Sequence, residues 1–308
     1  MLYQRILITG ANGLLGQELV TALSPYPEFD ILATGKDVEP RFSNGSCGYT
    51  RLDLTNTAEV RHLFNIFTPD VVINCAAMTA VDQCADERDA CWRVNVEAVE
   101  QMTRSCLNFS VKMVHLSTDF VFDGKGGPYI ESQRPDPVNF YGKPKLAAEN
   151  AIIKSGLGRW AIVRTVLVYG AGERLSRGNF VLWVIDKLSK GEEIQVVDDQ
   201  WRTPTYAPDL AQGILRLVKF DKTGLYHLSG REYLSVYDFA LKIAATFDLD
   251  ASLIKRTNSA SFSQRALRPL TTGFIILKAE TEFGYKPHTI EQNLAHLGAR
   301  LGLPVSTS

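Results

Sequence analysis

Residues Leu7–Leu19 read LITGANGLLGQEL, an apolar run that breaks at three glycines, Gly10, Gly13 and Gly16, and resumes with helical spacing. The residues before the break, RILIT (Arg5–Thr9), are short, apolar and β-branched, and predict a strand; GLLGQELVTALS predicts a helix starting near Leu14. Glycine at such a turn permits positive φ and lacks the Cβ that would block a diphosphate. The helix then offers its unpaired N–H groups and positive dipole end to an anion. Gly16, one turn in, lets helix and strand pack closely. The spacing is GxxGxxG, not GxGxxG, yet its place at the first strand–helix turn predicts a dinucleotide site. Gly10, Asn12, Gly13, Leu14, Leu15 and Gly16 are its candidates, and a tight turn without a ligand is the plain alternative.

Outward from this turn the pattern repeats. DILAT (Asp30–Thr34), VVIN (Val71–Asn74), KMVHLS (Lys112–Ser117) and WAIVRT (Trp160–Thr165) predict strands, and helical stretches lie between several of them, notably Ala85–Cys106. Apolar strands alternating with helices predict a doubly wound α/β fold, a Rossmann-type parallel sheet covered on both faces. After Thr165 loops lengthen and strands thin out, with helices expected in NFVLWVIDKLSKG (Asn179–Gly191) and SVYDFALKIAATF (Ser235–Phe247). The expected organisation is a dinucleotide domain over 1–165, later strands contributed from about 194–228, and an interleaved, smaller α/β substrate lobe over 166–308. Only the closing STS reads as frayed.

The bulk numbers narrow the classes. The 308 residues are 45% hydrophobic and 22% charged, with a net charge of −1, which gives no case for nucleic acid or an anionic membrane. The apolar runs are too short to cross a bilayer, and MLYQRILITG does not read as a signal peptide. Five cysteines without CxxC spacing, and scattered histidines, predict no disulfide framework, no metal and a reducing cytosol.

The second strand ends in ATGKD, so Gly35 stands where an NAD-preferring site places a carboxylate, and Lys36 follows. An ammonium there suits a 2′-phosphate, so NADPH is favoured; Asp37 competes, and a two-residue change of register restores NADH. Asp53 in RLDLT could accept the adenine amino group with Leu54 beside the ring, or could cap a helix as Thr55 or Asn56 would.

FYGKPK (Phe140–Lys145) supplies the chemistry. Tyr141 and Lys145 share a helical face, and Pro144 marks a first turn beginning near Asn139 or Phe140, with the pair exposed on it. A tyrosine near its ordinary pKa of about 10 can donate a proton, and a neighbouring ammonium lowers that pKa. A ketone reductase needs such a donor. HLSTDFVF adds Thr118 at the end of the fifth strand to hold the carbonyl, with Asp119 beside it. YxxxK alone is commonly a solvated helix face; here it follows a glycine turn. Asn179, Arg202 and Arg268 are candidates for a substrate diphosphate, and either arginine is as readily part of a surface salt bridge. Trp183 and Trp201 read as packing residues.

Together TGANGLLG, NCAAMTAVD, RVNVEAV, STDFVFDG, YGKPK and FGYKPHTIEQNL resemble the extended short-chain dehydrogenase/reductase family over nearly the whole chain. Within it, INCAAMTAVDQCADE, PVNFYGKPKLAAE and RTPTYAPDLA most resemble the dTDP-4-dehydrorhamnose reductases. The resemblance implies a Rossmann domain with a sugar-nucleotide lobe, and NAD(P)H-dependent reduction of the 4-keto group of a nucleotide-linked 6-deoxy sugar. It assigns Ala76, Ala77 and Met78 to the cofactor, and Thr118 and Asp119 to the substrate; Cys75, Asn95 and Leu116 join the cofactor candidates. A homodimer stays open. Sugar-nucleotide 4,6-dehydratases carry Thr-Asp-Glu where this chain has Thr118-Asp119-Phe120, which disfavours dehydration. Those reductases read RTSWVY where this chain reads RTVLVY, so Val166 and Leu167 replace a serine and a substrate-facing tryptophan. The methionine adenosyltransferase β subunit shows a similar loss, which makes a non-catalytic dinucleotide-binding regulator the second reading; a sugar-nucleotide epimerase is a third.

Overall fold

Side chains alternate along β1 (Gln4–Thr9) between two apolar layers, Ile6 and Ile8 facing one and Leu7 the other. The same division runs through β4 (Val71–Asn74), β5 (Lys112–Thr118) and β6 (Trp160–Thr165), where Ile73, Val114 and Val163 face the first layer and Val72, Met113 and Ile162 the second. A strand apolar on both faces must be covered on both. In this computed structural model, which describes residues 4–43, 45, 47–261 and 265–305, the first layer is closed by α1 (Leu14–Leu23) and the helix Ala207–Lys219. The second is closed by α2 (Thr57–Phe67), α5 (Ala98–Asn108) and α6 (Gly142–Lys154).

The seven strands are all parallel, in the order Gly224–His227, β6, β5, β4, β1, β2 (Phe29–Gly35), β3 (Gly48–Arg51). The chain runs outward from β1 through β2 to β3, then returns to β4 and runs the other way. The order therefore reverses between β1 and β4, where such sheets open a crevice at their carboxyl ends. Thr9 and Asn74 are register partners there. Gly10 follows at φ +68°, and a Cβ on it would lie 2.7 Å from the Ala76 Cα.

Two expectations change. Of the strands anticipated from 194–228, Gly224–His227 joins the sheet, but Ile194–Val197 pairs with Ile254–Thr257 because Ile194 and Val196 bury into a second core. That core is built by the helices Phe180–Ser189, Val236–Thr246 and Ile290–Leu301. The expected helix Ala85–Cys106 is broken: α3 (Val81–Asp86) stops at Glu87, whose φ and ψ of −110° and 58° are not helical. α4 (Arg88–Trp92) restarts it, and a π turn over Arg93–Glu97 leads into α5. Such turns are frequent at functional sites, and this one buries Asn95, whose amide exchanges hydrogen bonds of 2.9 Å with both backbone groups of Met78.

Trp183 and Trp201 pack at the surface, 40% and 37% exposed and tilted against Phe180 and Tyr233. The closing Ser306–Ser308 lies outside the described residues. No helix among the described residues is long and apolar enough to cross a membrane.

Candidate active site

The carboxyl end of β5 and the start of α6 meet beside the crevice. Asn139 sets the start of α6: its Oδ1 accepts from the Gly142 N–H at 2.8 Å, while its Nδ2 donates to the Leu267 carbonyl. Lys143 and Lys145 donate to the Asn139 and Tyr141 carbonyls at 3.3 and 3.4 Å, long bonds either side of Pro144, so the turn bends without breaking. A Cβ on Gly142 would sit 2.0 Å from the Phe120 carbonyl oxygen, so glycine is what lets the helix rest on the turn after β5. Gly142→Ala is expected to cost about 1–3 kcal/mol of stability as an overpacked contact, read by denaturant unfolding; an unchanged midpoint would show that the helix shifts freely.

The expected exposure of the pair is corrected. Tyr141 is 8% exposed and Lys145 2%, because α3, α4 and the Phe120 turn cover the opening of α6. The phenol ring packs with Cys84 and Cys91 and meets the Phe120 ring edge-on at 5.8 Å. The expected depression of the phenol's pKa is also absent: burial pushes it up, opposed by the Thr118 hydrogen bond and reinforced by Asp119. Lys145 goes the other way, lowered by burial to about 8 and supported by Glu149. Its Nζ donates to the Leu116 carbonyl at 2.5 Å and lies 3.3 Å from His115 Nε2. Thr118 Oγ1 donates to Asp119 Oδ1 at 3.1 Å and accepts from the Phe120 N–H. Thr118, Tyr141 and Lys145 are thus brought together.

The other substrate candidates are held by partners. Asp119 is buried, accepts from Thr272 and lies 3.7 Å from Arg202 Nε; burial raises its pKa against the pull of Arg202. Arg202 is also buried and donates to the carbonyls of Trp201, Pro269 and Leu270, so it fastens that segment and presents no fork to a diphosphate. Arg268 is paired with Asp82 at 2.8 Å. Asn179 accepts from Leu182 N–H as a helix cap and donates to the Gly170 carbonyl.

On the cofactor side, Ala76, Ala77 and Met78 lie half-buried along the crevice beside Gly10, with Cys75 before them. Gly13, Leu14 and Leu15 open α1, and a Cβ on Gly16 would fall 2.5 Å from both Ala11 Cα and the Gly10 carbonyl oxygen. Leu54 and Leu116 are buried in the layers beneath. Asn12 Nδ2 donates to Asp37 Oδ2 at 2.8 Å and to the Tyr49 hydroxyl at 3.1 Å, just where a Cβ on Gly35 would intrude. Asp37 is held by Arg41 at 2.7 Å, and the Arg41 hydrogen bond keeps its carboxyl below the usual range. Lys36 is exposed and 3.7 Å from Asp53, whose Oδ1 accepts from the Thr55 N–H and hydroxyl, while Asn56 caps α2. Arg41, Tyr49, Asn74 and His115 escaped sequence reasoning. Arg41 and Tyr49 reach the site from a loop and an edge strand, and His115 faces α6 by alternation along β5, a parity that the strand's boundaries could have supplied.

A family model described as "RmlD substrate binding domain" matches residues 4–302. The "Probable low-salt glycan biosynthesis reductase Agl14" of Haloferax volcanii is 33% identical, over 95% of this chain and 96% of its own. The methionine adenosyltransferase 2 subunit beta of Mus musculus is 31% identical, over 82% of this chain and 75% of its own. The solved dTDP-4-dehydrorhamnose reductase of Bacillus anthracis, in complex with NADP, superposes with a TM-score of 0.86 at 31% identity, covering 97% of this chain and 99% of that one. The chain belongs to the RmlD substrate binding domain family, within the extended short-chain dehydrogenases/reductases.

Proposed function

From this membership and the site's geometry, we propose that the protein reduces the 4-keto group of a nucleotide-linked 6-deoxy sugar, with NADPH as reductant. The observation that carries the reading is the buried Thr118, Tyr141 and Lys145 set at the carboxyl end of β5, next to the crevice. The residues present fit a dinucleotide: Gly10 and Gly16 stand where any Cβ would collide with backbone, leaving the turn bare for a diphosphate at the start of α1. When bound, the nicotinamide supplies the hydride that adds to the carbonyl carbon. The chain's own residues do the rest. Thr118 hydrogen-bonds the carbonyl oxygen, Tyr141 transfers its phenolic proton to that oxygen, and the Lys145 ammonium stabilises the resulting phenolate and binds the nicotinamide ribose. Raised by burial, Tyr141 holds its proton throughout the neutral range, as a donor must.

Asp37 is already taken by Arg41 and Asn12, while Lys36 and Arg41 bring two cations to the end of β2, which supports NADPH over NADH. Lys36→Glu is expected to weaken NADPH about tenfold, the low end of a charge-assisted hydrogen bond, and to leave NADH near wild type in fluorescence titrations; equal effects on both would remove Lys36 from 2′-phosphate recognition. The function itself is tested by NADPH consumption with a panel of nucleotide-linked 4-keto-6-deoxy sugars.

The second reading is a dinucleotide-binding regulatory subunit. It is favoured by Val166 and Leu167, which put aliphatic side chains where a substrate-facing aromatic is expected, Val166 wholly buried and Leu167 packed against both cores. Tight NADPH binding without consumption on any sugar would select it.

A further inference from the structure

A ladder of buried polar groups crosses the sheet behind the proposed catalytic pair. Thr9 Oγ1, at the end of β1, is 2.6 Å from Asn74 Oδ1 at the end of β4; Asn74 Nδ2 is 3.1 Å from His115 Nδ1 on β5; and His115 Nε2 is 3.3 Å from Lys145 Nζ on α6. All four side chains are buried. We infer that His115, held by Asn74 and Thr9, is a positioning residue that keeps Lys145 charged and aimed, an inference resting on the role given to Lys145 above.

An ammonium has three N–H donors. Leu116 O takes one, and His115 Nε2 can take a second in the tautomer whose Nδ1 carries the hydrogen, which leaves one for the phenolate or a ligand. Glu149 adds the attraction of its charge, but none of the other groups facing Lys145 offers it a hydrogen-bond acceptor that is not already engaged or protonated. Cys75, from the end of β4, is a thiol pushed up to about 12 by burial; Cys84 and Cys91, on α3 and α4, share a hydrogen bond. Glu149, on α6 itself, is already bound to Arg164 at 2.6 Å and to Ser117 at 2.5 Å. His115 itself is held neutral by burial and by the Lys145 charge.

A neutral imidazole has one donor and one acceptor nitrogen. With Asn74 Nδ2 donating to Nδ1, Nε2 carries the hydrogen and matches an uncharged amine. Turned by half a turn, the Asn74 amide accepts from Nδ1–H, and Nε2 then accepts from the ammonium. The ladder therefore has one arrangement for each protonation state of Lys145: in the one that suits the ammonium, Thr9 Oγ1 accepts from Asn74 Nδ2 and its own hydrogen gives up the Asn74 partner, and Asn74 couples the imidazole tautomer to that state.

If Lys145 works as an ammonium, rate falls as pH rises through its pKa, and removing an acceptor of the charged form moves that alkaline limb to lower pH. His115→Phe is expected to shift the limb of kcat/KM down by roughly one pH unit, the worth of one hydrogen bond to a charged group. His115→Gln, whose Oε1 reaches the Nε2 position, is expected to restore it. His115→Asn reaches Asn74 but not Lys145, and should behave like the Phe variant. The same limb, measured in NADPH affinity against pH, needs no sugar substrate. Absence of turnover in the wild type would refute the proposed reaction, and the binding profile would still decide the role of His115. Limbs that coincide across the three variants, with only thermal stability lowered, would reduce His115 to packing and overturn the inference.

Discussion

Replacing Tyr141 with phenylalanine is expected to lower turnover by roughly 10²–10⁴-fold, the usual worth of a general acid, while NADPH affinity changes little. The substitution removes one oxygen from a ring that otherwise keeps its place between Cys84, Cys91 and the Phe120 edge. Thr118 retains Asp119 as a partner, so no buried hydroxyl is orphaned. The effect should therefore fall on kcat, since the phenol acts when charge develops on the substrate oxygen. Lys145→Ala is different in kind, because Lys145 is assigned both to the phenolate and to the nicotinamide ribose; it should weaken cofactor binding and turnover together. Steady-state kinetics with a fluorescence titration of NADPH separate the two. Full turnover in Tyr141→Phe would remove the phenol from the reaction.

The largest expected effect on stability lies below that pair. Arg164, on β6, forms a fork with Glu149 of α6, Nη2 to Oε2 at 2.6 Å and Nε to both carboxylate oxygens, with both side chains buried and the guanidinium 5.0 Å above the Phe122 ring. Ser117 supplies Glu149 with one further hydrogen bond. Arg164→Met strips the cation and leaves a buried carboxylate on Ser117 alone, which costs about 3–5 kcal/mol and lowers Tm by about 10 °C. The double variant Arg164→Met/Glu149→Leu removes both charges and should recover most of that loss, since a buried pair replaced by apolar groups is often neutral. A single-variant loss below about 1 kcal/mol would mean that water reaches Glu149 or that its carboxyl takes up a proton at little cost. Glu149 also faces Lys145 one turn up α6, so this pair ties the stability of the sheet to the electrostatics of the site.

Much of this architecture is legible along the chain because its signals are local. Each of the first six strands except the short β3 is a compact apolar run, and the glycine turn, the start of α1 and the Tyr141–Lys145 spacing are all read within a few residues. What is not legible depends on partners distant in sequence. Arg202 and Arg268 are indistinguishable from phosphate ligands until the chain brings the carbonyls of 269–270 to one and Asp82 to the other. The burial of Tyr141 depends on α3 and α4, and the break at Glu87 that seats them has no glycine or proline to announce it. Ile194–Val197 is as apolar as a sheet strand, and only its packing against the second core diverts it from the sheet. The Thr9, Asn74 and His115 ladder spans three strands whose adjacency follows from topology, not from spacing.

Hydride delivery to a sugar carbonyl is followed by transfer of label. The protein is supplied with NADPH deuterated at the transferring position and a dTDP-linked 4-keto-6-deoxy hexose, and the product sugar is examined by mass spectrometry and proton NMR. One deuterium is expected, bound to the sugar's C4, and its loss in Tyr141→Phe at matched times. A sugar recovered unlabelled while NADPH stays tightly bound would contradict hydride delivery, and would leave a dinucleotide-binding protein without this chemistry.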